Sequence, residues 1–242
     1  MVLQLYYDLL SQPCRAILLF VRTLGVPYHG KEVSLLKGEN RSEEFSRVNP
    51  MMQIPVIVDD GFILTESVAI MKYIAARYNA PDHWYPADLQ TQSKVDEYLA
   101  WQHFHTRQHA MRVFLSESLL PKLSGEPARP SRLSSALNDL EVTLDLLDSK
   151  FLKDKRFLCA NDISIADLLA VCELAQPMGG GRDVLQGRDR LLQWRQRVVS
   201  FVGEPLYQEV HMEILGGKQQ VGPPHQALHM KAFAERVCDG PM

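Results

Sequence analysis

Almost all strand-forming patterns in this chain lie in its first third, and this distribution strongly limits the folds available to it. An alternating apolar run from Leu3 to Tyr7 is followed by a helical apolar stretch over residues 16–24 and by a second strand pattern over residues 28–35. A strand, a helix and a strand in this order are typical of a βαβ unit, in which the two strands are parallel and the crossover is right-handed. We therefore expect the chain to begin with a small α/β domain.

A second group of short elements completes this domain. Residues 53–58 predict a strand with Pro55 near its entry, one of the few strand positions that tolerate proline. Asp60 and Gly61 lie between apolar runs and indicate a hairpin, so residues 62–64 are expected to return antiparallel. A helix with Ser67 as its N-cap is predicted next. The order βαβ, short helix, ββα then occupies residues 1–80.

The pattern changes at residues 81–88, which contain two prolines and no helical period, and we expect a linker there. Over residues 89–242 helical patterns replace strand patterns and predict an all-α domain. Its first helix is predicted from residue 91 to about residue 118. Four residues are expected to share one face of this helix: Phe104, Arg107, Met111 and Leu115.

Two further helices carry local signals in this domain. Ser164 followed three residues later by Asp167 is the signature of a capping box, which predicts a buried helix with no catalytic role. Near the end of the chain Met230, Phe233 and Val237 lie on one face of a short amphipathic helix. Such a helix must pack either on its own domain or on a partner.

The composition excludes some classes of function. The net charge is −3, from 26 Lys plus Arg against 29 Asp plus Glu, and gives no electrostatic case for binding nucleic acid or an anionic membrane. No apolar run is long enough to cross a bilayer, and the first residues have no basic region of the kind that opens a secretory signal. We expect a cytoplasmic protein.

Four cysteines, Cys14, Cys159, Cys172 and Cys238, are widely spaced and form neither a CxxC pair nor a Cys/His cluster. The spacing predicts no metal site, and free thiols are expected in a reducing compartment. Because Cys14 lies at a predicted helix start, it is the cysteine whose position favours a thiolate.

The segment from Ser11 to Arg15 separates the first strand from the first helix. Pro13 is suited to the first helical turn, and Ser11 is well placed to cap that turn. A helix N-terminus attracts anions, and a hydroxyl at the same place can donate a hydrogen bond to one. On this segment alone, Ser11 is interpreted as an N-cap.

Several motifs together resemble the theta class of the cytosolic glutathione transferases. The likeness extends over nearly the whole chain and weakens towards its end. The motifs include Ser11-Gln12-Pro13-Cys14-Arg15, Val48-Asn49-Pro50, Thr65-Glu66-Ser67, His83-Trp84-Tyr85-Pro86 and Trp194-Arg195-Gln196-Arg197-Val198.

The resemblance implies a thioredoxin-like α/β domain followed by an all-α domain, the glutathione transferase fold. It also implies conjugation of the glutathione thiol to small hydrophobic electrophiles: haloalkanes, epoxides, hydroperoxides or aryl-methyl sulfates. Glutathione is then a co-substrate and no cofactor is needed. A homodimer and a glutathione peroxidase side activity are further implications.

The resemblance also assigns roles to individual residues. Ser11 would be the catalytic hydroxyl, and Arg107 would add positive potential or hold a departing anion. The glutathione-binding residues would be Asn40, Arg41, Gln53, Ile54, a cis Pro55, Glu66 and Ser67. The electrophile pocket would be lined by Leu10, Phe104, Met111, Leu115 and Phe233. The chain departs from the class pattern at Asn40, where histidine is frequent, and at Gln53, where lysine is frequent.

Two other functions remain open at this stage. A thiol-redox protein would use Cys14, although the cysteine that usually attacks first is replaced by Ser11. A non-catalytic protein of the same fold would bind glutathione weakly, because neutral amides stand at Asn40 and Gln53.

Overall fold

The computed structural model describes residues 2–216 and 228–239 and contains a four-stranded mixed sheet. The order of the strands across this sheet is β2-β1-β3-β4. β1 pairs with β2 in parallel, whereas the β1–β3 and β3–β4 pairs are antiparallel. The strands are β1 Leu3–Tyr7, β2 Tyr28–Glu32, β3 Val56–Asp59 and β4 Phe62–Leu64.

Two of the strands are shorter than the sequence predicts. β2 ends at Glu32 because the chain turns towards Asp8, whose carboxylate accepts a hydrogen bond from the backbone N–H of Leu35. β3 begins only at Val56, after Pro55, which has no backbone N–H to contribute to the ladder. The predicted βαβ unit and the predicted hairpin are both confirmed.

Helices occupy most of the remaining described chain. In the α/β half they are α1 Gln12–Thr23, α2 Glu43–Val48 and α3 Ser67–Arg77. In the helical half they are α4 Leu89–Trp101, α5 Thr106–Phe114, α6 Leu120–Ser124, α7 Pro130–Leu146, α8 Ile165–Leu174, α9 Asp189–Val202, α10 Glu204–Val210, α11 Met212–Leu215 and α12 Leu228–Asp239. None of the helices in residues 2–216 and 228–239 is long and apolar enough to cross a membrane.

The prediction of one long helix over residues 91–118 is wrong, because this range is divided into several elements. α4 ends at Trp101, a 3₁₀ turn covers Gln102–Phe104, and a π-helical segment follows α5 at Leu115–Leu119. The break at Trp101 has a local cause, because the His105 side chain binds the Trp101 carbonyl through Nδ1 at 2.8 Å and stacks on the Trp101 ring. This carbonyl is the acceptor that the His105 backbone N–H would need for the helix to continue.

The expected role of Ser67 as an N-cap is also wrong. Glu66 occupies the cap position of α3 with φ of 66°, and Ser67 is the first helical residue. The capping box of α8 is confirmed, since Asp167 accepts a hydrogen bond from the Ser164 backbone and the Ser164 hydroxyl.

One hydrophobic core extends through both halves of the molecule. It includes Leu5 and Phe20 from the α/β half as well as Leu168 and Trp194 from the helical half. α1 lies at the centre of this core and contacts α3, α8 and α10. Every residue from 14 to 21 is buried, and all of them except Arg15 are apolar, as expected for a helix covered by two layers.

The last helix packs on its own chain. Met230, Ala234 and Cys238 of α12 are buried against α6, α7 and the π-helical segment Leu115–Leu119. α12 therefore covers one side of the region between the start of α1 and α5.

Candidate active site

A cavity of about 800 Å³ lies where the start of α1, the loop before β3, α5 and α12 meet. Both halves of the molecule contribute to its wall. The lining residues of the α/β half lie at positions 10–13, 35, 40, 41 and 50–54. Those of the helical half are His103, Phe104, Arg107, Gln108, Met111, Phe114, Leu115, Leu119 and Gln176, and those of α12 are His229, Met230, Phe233, Arg236 and Val237.

Ser11 stands at the wall of this cavity, directly before α1. Its backbone occupies the N-cap position, with φ of −82° and ψ of 118°, but its side chain makes no capping hydrogen bond. The hydroxyl instead lies within hydrogen-bond distance of the Cys14 thiol. The expectation of a side-chain cap is therefore wrong: the Ser11 hydroxyl contacts a side chain of α1 and no backbone N–H of its first turn.

The loop in front of Ser11 is held by two charged side chains. The Asp8 carboxylate accepts hydrogen bonds from the backbone N–H of Leu10 at 2.8 Å and of Leu35 at 2.7 Å. Arg15 is fully buried, and its Nη1 donates to the carbonyls of Leu9 at 2.7 Å and Leu10 at 3.2 Å. The backbone next to Ser11 is thus anchored from both sides.

Arg15 also connects this loop to the helical half. Its Nη2 donates to the Cys172 carbonyl at 2.9 Å and to Oε1 of Gln176 at 2.6 Å. Sequence reasoning gave Arg15 no role, although a cation directly before the apolar run of residues 16–21 was an available signal. A buried charge needs hydrogen-bond partners, and here they come from residues remote in sequence.

Cys14 does not have the reactivity that its position at a helix start suggested. Its side chain is fully buried, and burial raises the pKa of the thiol to about 12. The expectation of a thiolate is therefore wrong, because removal from water outweighs the helix N-terminus. All four cysteines are free and buried.

Arg107 contacts groups from three elements. Its Nε donates to Oε1 of Glu173 in α8 at 3.1 Å, and its Nη2 donates to the hydroxyl of Ser67 in α3 at 3.0 Å. Its Nη1 lies 3.4 Å from Nδ1 of His103. Burial, together with the charge of Arg107, lowers the pKa of His103, which is thus neutral at neutral pH. Sequence reasoning did not identify Glu173 as a partner of Arg107.

Two asparagines hold the loop before β3. Nδ2 of Asn40 donates to the Met52 carbonyl at 2.8 Å, and Nδ2 of Asn49 donates to the Gln53 carbonyl at 2.7 Å. Met52 has a φ of 56°, which is unusual for a residue with a side chain. The peptide bond between Ile54 and Pro55 is cis.

The structure brings most of the expected site residues to one cavity. The lining residues among them are Ser11, Arg107, Asn40, Arg41, Gln53, Ile54, Leu10, Phe104, Met111, Leu115 and Phe233. Pro55, Glu66 and Ser67 are not part of the lining. Ser67 is buried and is hydrogen-bonded to Arg107, which does line the cavity. Glu66 is exposed.

The cavity combines basic and apolar surfaces. Arg41, His103, Arg107, His229 and Arg236 line it, and no carboxylate is among the described lining residues. Such a wall favours an anion beside an apolar group. In the part of the chain that the structure describes, no group of three or more His, Cys, Asp or Glu residues could hold a metal ion.

At the cavity α12 is hydrogen-bonded to the α/β half of the molecule. Nε2 of His229 donates to the Leu35 carbonyl at 2.8 Å. The His229 ring also lies against Gly38, where a Cβ would come within 2.7 Å of Cε1. A residue with a side chain at position 38 would therefore collide with α12.

Comparisons with known proteins agree with this architecture. Residues 1–76 match the family model described as Glutathione S-transferase, N-terminal domain. The chain is 49% identical over 218 residues to glutathione S-transferase theta-1 of Bos taurus. This alignment covers 90% of the present chain and 91% of the bovine protein. The apo form of human glutathione-S-transferase T1-1 superimposes with a TM-score of 0.93 and 44% identity, over 98% of this chain and 99% of the other.

A human theta-class glutathione transferase in complex with the glutathione conjugate of 1-menaphthyl sulfate is similarly close. It has a TM-score of 0.91 and 36% identity, and the match covers all of both chains. These similarities extend over both halves of the molecule. The chain is a member of the theta class of glutathione S-transferases.

Proposed function

We propose that this protein conjugates the thiol of glutathione to small hydrophobic electrophiles, with Ser11 stabilising the thiolate. The observation that carries the proposal is the Ser11 hydroxyl, which lines a cavity shared by both halves and takes no part in capping α1. Because the Cys14 thiol can donate to the Ser11 oxygen, the hydroxyl hydrogen remains for a ligand at the N-terminus of a buried helix.

The free energy needed to lower the thiol pKa is of the size that the Ser11 hydroxyl and the N-terminus of α1 can supply. A thiol with a pKa of about 8.5 is mostly protonated at neutral pH, and lowering its pKa by two units takes roughly 2.7 kcal/mol. A hydrogen bond to a charged group contributes about 1.5–3 kcal/mol. A helix N-terminus adds about 0.3–1 kcal/mol. The Ser11 hydroxyl and α1 can together supply the shift without a general base.

The orientation of the tripeptide follows from the proposed contacts. The backbone N–H and C=O of Ile54 pair with the cysteinyl residue of glutathione, as an added antiparallel strand would. Glu66 and Ser67 hold the γ-glutamyl end. The Ser67 hydroxyl accepts a hydrogen bond from Arg107 and still has its own hydrogen to donate to a carboxylate.

The glycyl carboxylate lies at Asn40, Arg41 and Gln53 in this proposal. One N–H of the Asn40 amide is used by the Met52 carbonyl, which leaves its second N–H for the ligand. Arg41 and Gln53 are exposed at the cavity, and Arg41 supplies the positive charge that the two amides lack. We therefore expect Arg41 to contribute most to binding at this end.

At haloalkanes, epoxides and aryl-methyl sulfates the reaction is a displacement at carbon; in an epoxide the leaving group is the ring oxygen, which stays attached and takes up a proton. The thiol proton leaves to solvent, the thiolate sulfur forms a bond to the electrophilic carbon, and the leaving group departs with the bonding electron pair. Arg107 lines the cavity, which supports a role for its positive charge in holding that anion. Substrates of the expected classes place their apolar part against Leu10, Phe104, Met111, Leu115 and Phe233.

A glutathione conjugate of 1-menaphthyl sulfate bound to one theta-class relative supports the aryl-methyl sulfate class in particular. We further propose a homodimer and a peroxidase side activity. In that side activity the same thiolate attacks the hydroperoxide and releases an alcohol, and a second glutathione then completes the reaction to glutathione disulfide and water.

Two observations bear on the alternative functions, a thiol-redox protein and a non-catalytic glutathione-binding protein. A thiol-redox function would need an accessible, ionisable Cys14, and that thiol is buried with a pKa of about 12. A non-catalytic protein with weakened glutathione binding is favoured only by the neutral amides at Asn40 and Gln53. We therefore propose the transferase as the function and keep the binding protein as the alternative.

The decisive experiment is a pH titration of the ultraviolet absorbance of glutathione thiolate bound to the protein. The wild type should show a thiolate pKa well below that of free glutathione. Ser11→Ala should raise this pKa towards the free value, whereas Ser11→Thr, which keeps a hydroxyl, should retain part of the shift. A wild type that binds glutathione without ionising it, or does not bind it, would favour the non-catalytic alternative.

A further inference from the structure

Glu173 is a buried carboxylate for which the proposed reaction has no use. It lies in α8, where every residue from Ile165 to Leu174 is buried, and its side chain is fully inaccessible to solvent. Its Oε1 accepts the hydrogen bond from Arg107, and its Oε2 has no partner among the described residues. A half-satisfied buried ion pair is poor evidence for stabilisation, so Glu173 calls for another explanation.

The geometry around Arg107 supplies that explanation. A guanidinium is planar, with five N–H groups in fixed directions, so contacts at two of its nitrogens determine its orientation. Glu173 holds Nε from the helical half, and Ser67 holds Nη2 from the α/β half. With the plane set in this way, Nη1 lies near His103 at the cavity wall.

We infer that Glu173 is a positioning residue, which orients the Arg107 guanidinium towards the cavity and supplies the negative charge that balances it. This inference rests on the proposed function, because the position of Arg107 matters only if an anion occupies the cavity. When Glu173 is ionised the pair is neutral overall. When Glu173 is protonated, Arg107 presents an uncompensated positive charge to the cavity.

The ionisation of Glu173 falls in an accessible range of pH. Burial raises the pKa of Glu173 to about 7, although the charge of Arg107 acts in the opposite direction. The other titratable groups around the pair keep one charge state near this pH. Burial raises the pKa of Tyr98 in α4 and of Cys172 in α8, and the pKa of His103 is lowered.

Two substitutions separate orientation from charge. Glu173→Gln keeps an oxygen that can accept from Nε but removes the negative charge. Glu173→Ala removes both. Leu174→Ala, at the next residue of α8 and equally in the core, serves as a control for lost stability without any change near Arg107.

The first readout does not depend on activity. In the ¹H–¹⁵N spectrum of the protein, the Nε–H of Arg107 should be protected from exchange in the wild type and in Glu173→Gln. In Glu173→Ala this protection should be lost, whereas Leu174→Ala should retain it. An unprotected Nε–H in the wild type would overturn the inference, whatever the protein does with glutathione.

The second readout is a double-mutant cycle on kcat/KM. Misplacing a group that contacts the reacting atoms can lower the rate on the order of 10²-fold, and we expect a loss of this size in Glu173→Ala. In an Arg107→Ala background the same change should alter kcat/KM less than about twofold, because the residue it positions is gone. Equal losses in both backgrounds, or an equal loss in Leu174→Ala, would show a merely structural role.

The third readout is the pH profile of kcat/KM. The glutathione thiol titrates in the same range in both proteins, so the quantity to compare is the ratio of kcat/KM between wild type and Glu173→Gln. This ratio should change across pH 7, and a ratio independent of pH would contradict the charge-balancing role. If the wild type neither binds nor ionises glutathione, the proposed function fails, and the exchange measurement on Arg107 still decides the positioning role.

Discussion

The hydroxyl oxygen of Ser67 accepts a 3.0 Å hydrogen bond from Nη2 of Arg107, and this bond joins the first turn of α3 to α5 across the two halves of the molecule. Ser67 is 3% exposed, so the bond is shielded from water. Since Arg107 also binds Glu173, one guanidinium links an α/β helix to the core of the helical half.

Replacing Ser67 by alanine should therefore lower the free energy of unfolding. A hydrogen bond to a charged group contributes about 1.5–3 kcal/mol, and we expect a loss of about 1–2 kcal/mol because Arg107 can turn partly to solvent. Urea unfolding of wild type and variant measures it. Ser46→Ala in α2 is the control, because its exposed hydroxyl binds the nearby Glu43 carbonyl within the same helix, and its loss should change stability by less than about 0.5 kcal/mol. Equal effects at the two serines would contradict the cross-domain role.

Arg15→Lys should destabilise the protein although the charge is kept. Arg15 donates to four acceptors, and an ammonium group cannot reproduce that planar arrangement. We expect a loss of about 2–4 kcal/mol in the free energy of unfolding, together with weaker glutathione binding, because the carbonyls of Leu9 and Leu10 lose their anchor.

A matched control for Arg15 is available on the same helix. Arg22 is paired with Glu209 at the surface, and exposed ion pairs contribute about 0–1 kcal/mol. Arg22→Lys should therefore change the free energy of unfolding by less than about 1 kcal/mol. If the two lysine variants unfold at the same denaturant concentration, the buried network does not have the role assigned to it.

The pH dependence of stability should differ between the wild type and Glu173→Gln. The pKa of Glu173 is about 7 in the folded protein, against the ordinary value of 4.5 for a glutamate, so between these values the folded state holds a proton that the unfolded state has lost. Rising pH therefore destabilises the folded wild type over this window, and the penalty remains above pH 7.

Glu173→Gln has no such proton to lose. Its free energy of unfolding relative to the wild type should rise by about 2–3 kcal/mol between pH 5 and pH 8, a range taken from a shift of this size. Urea unfolding of both proteins at the two pH values tests it. A difference between the proteins that does not change with pH would mean that Glu173 does not titrate in this window.

A side chain at position 38 should loosen the attachment of α12. Gly38 has a φ of 75°, and a Cβ there would lie 2.7 Å from Cε1 of His229, so Gly38→Ala adds a collision to backbone strain. Gly25→Ala is the control, since its φ is 66° and no atom lies within 4 Å of the new Cβ. We expect a loss of about 1–2 kcal/mol for Gly25→Ala from strain alone and a larger loss for Gly38→Ala.

A variant at His229 tests whether the collision with Gly38→Ala causes the larger loss of stability. In a His229→Ala background the added loss at Gly38 should disappear, leaving strain comparable to that of Gly25→Ala. Hydrogen exchange of residues 228–239 should be faster in Gly38→Ala than in Gly25→Ala. Unchanged exchange in α12 would show that His229 moves aside without loosening the helix.

Local signals were sufficient for much of the fold. The alternation in β1, the hairpin at Asp60 and Gly61, and the capping box of Ser164 and Asp167 all depend on residues a few positions apart. Such interactions form wherever these residues occur in order, so a pattern in the chain predicts them. The long helix predicted over residues 91–118 failed because a side chain, His105, took the carbonyl that the backbone would have used.

The amino-acid sequence by itself determined the two-part architecture, the family and the set of chemical groups available to a ligand. Only the tertiary structure decided which of these groups are buried, which are ionised and which are held by a partner. Arg15 meets Cys172, 157 residues away, Arg107 meets Glu173, 66 residues away, and Cys14 is buried instead of ionised. These outcomes depend on how α1, α5 and α8 pack, because burial and partners from distant helices determine the charge and direction of a side chain.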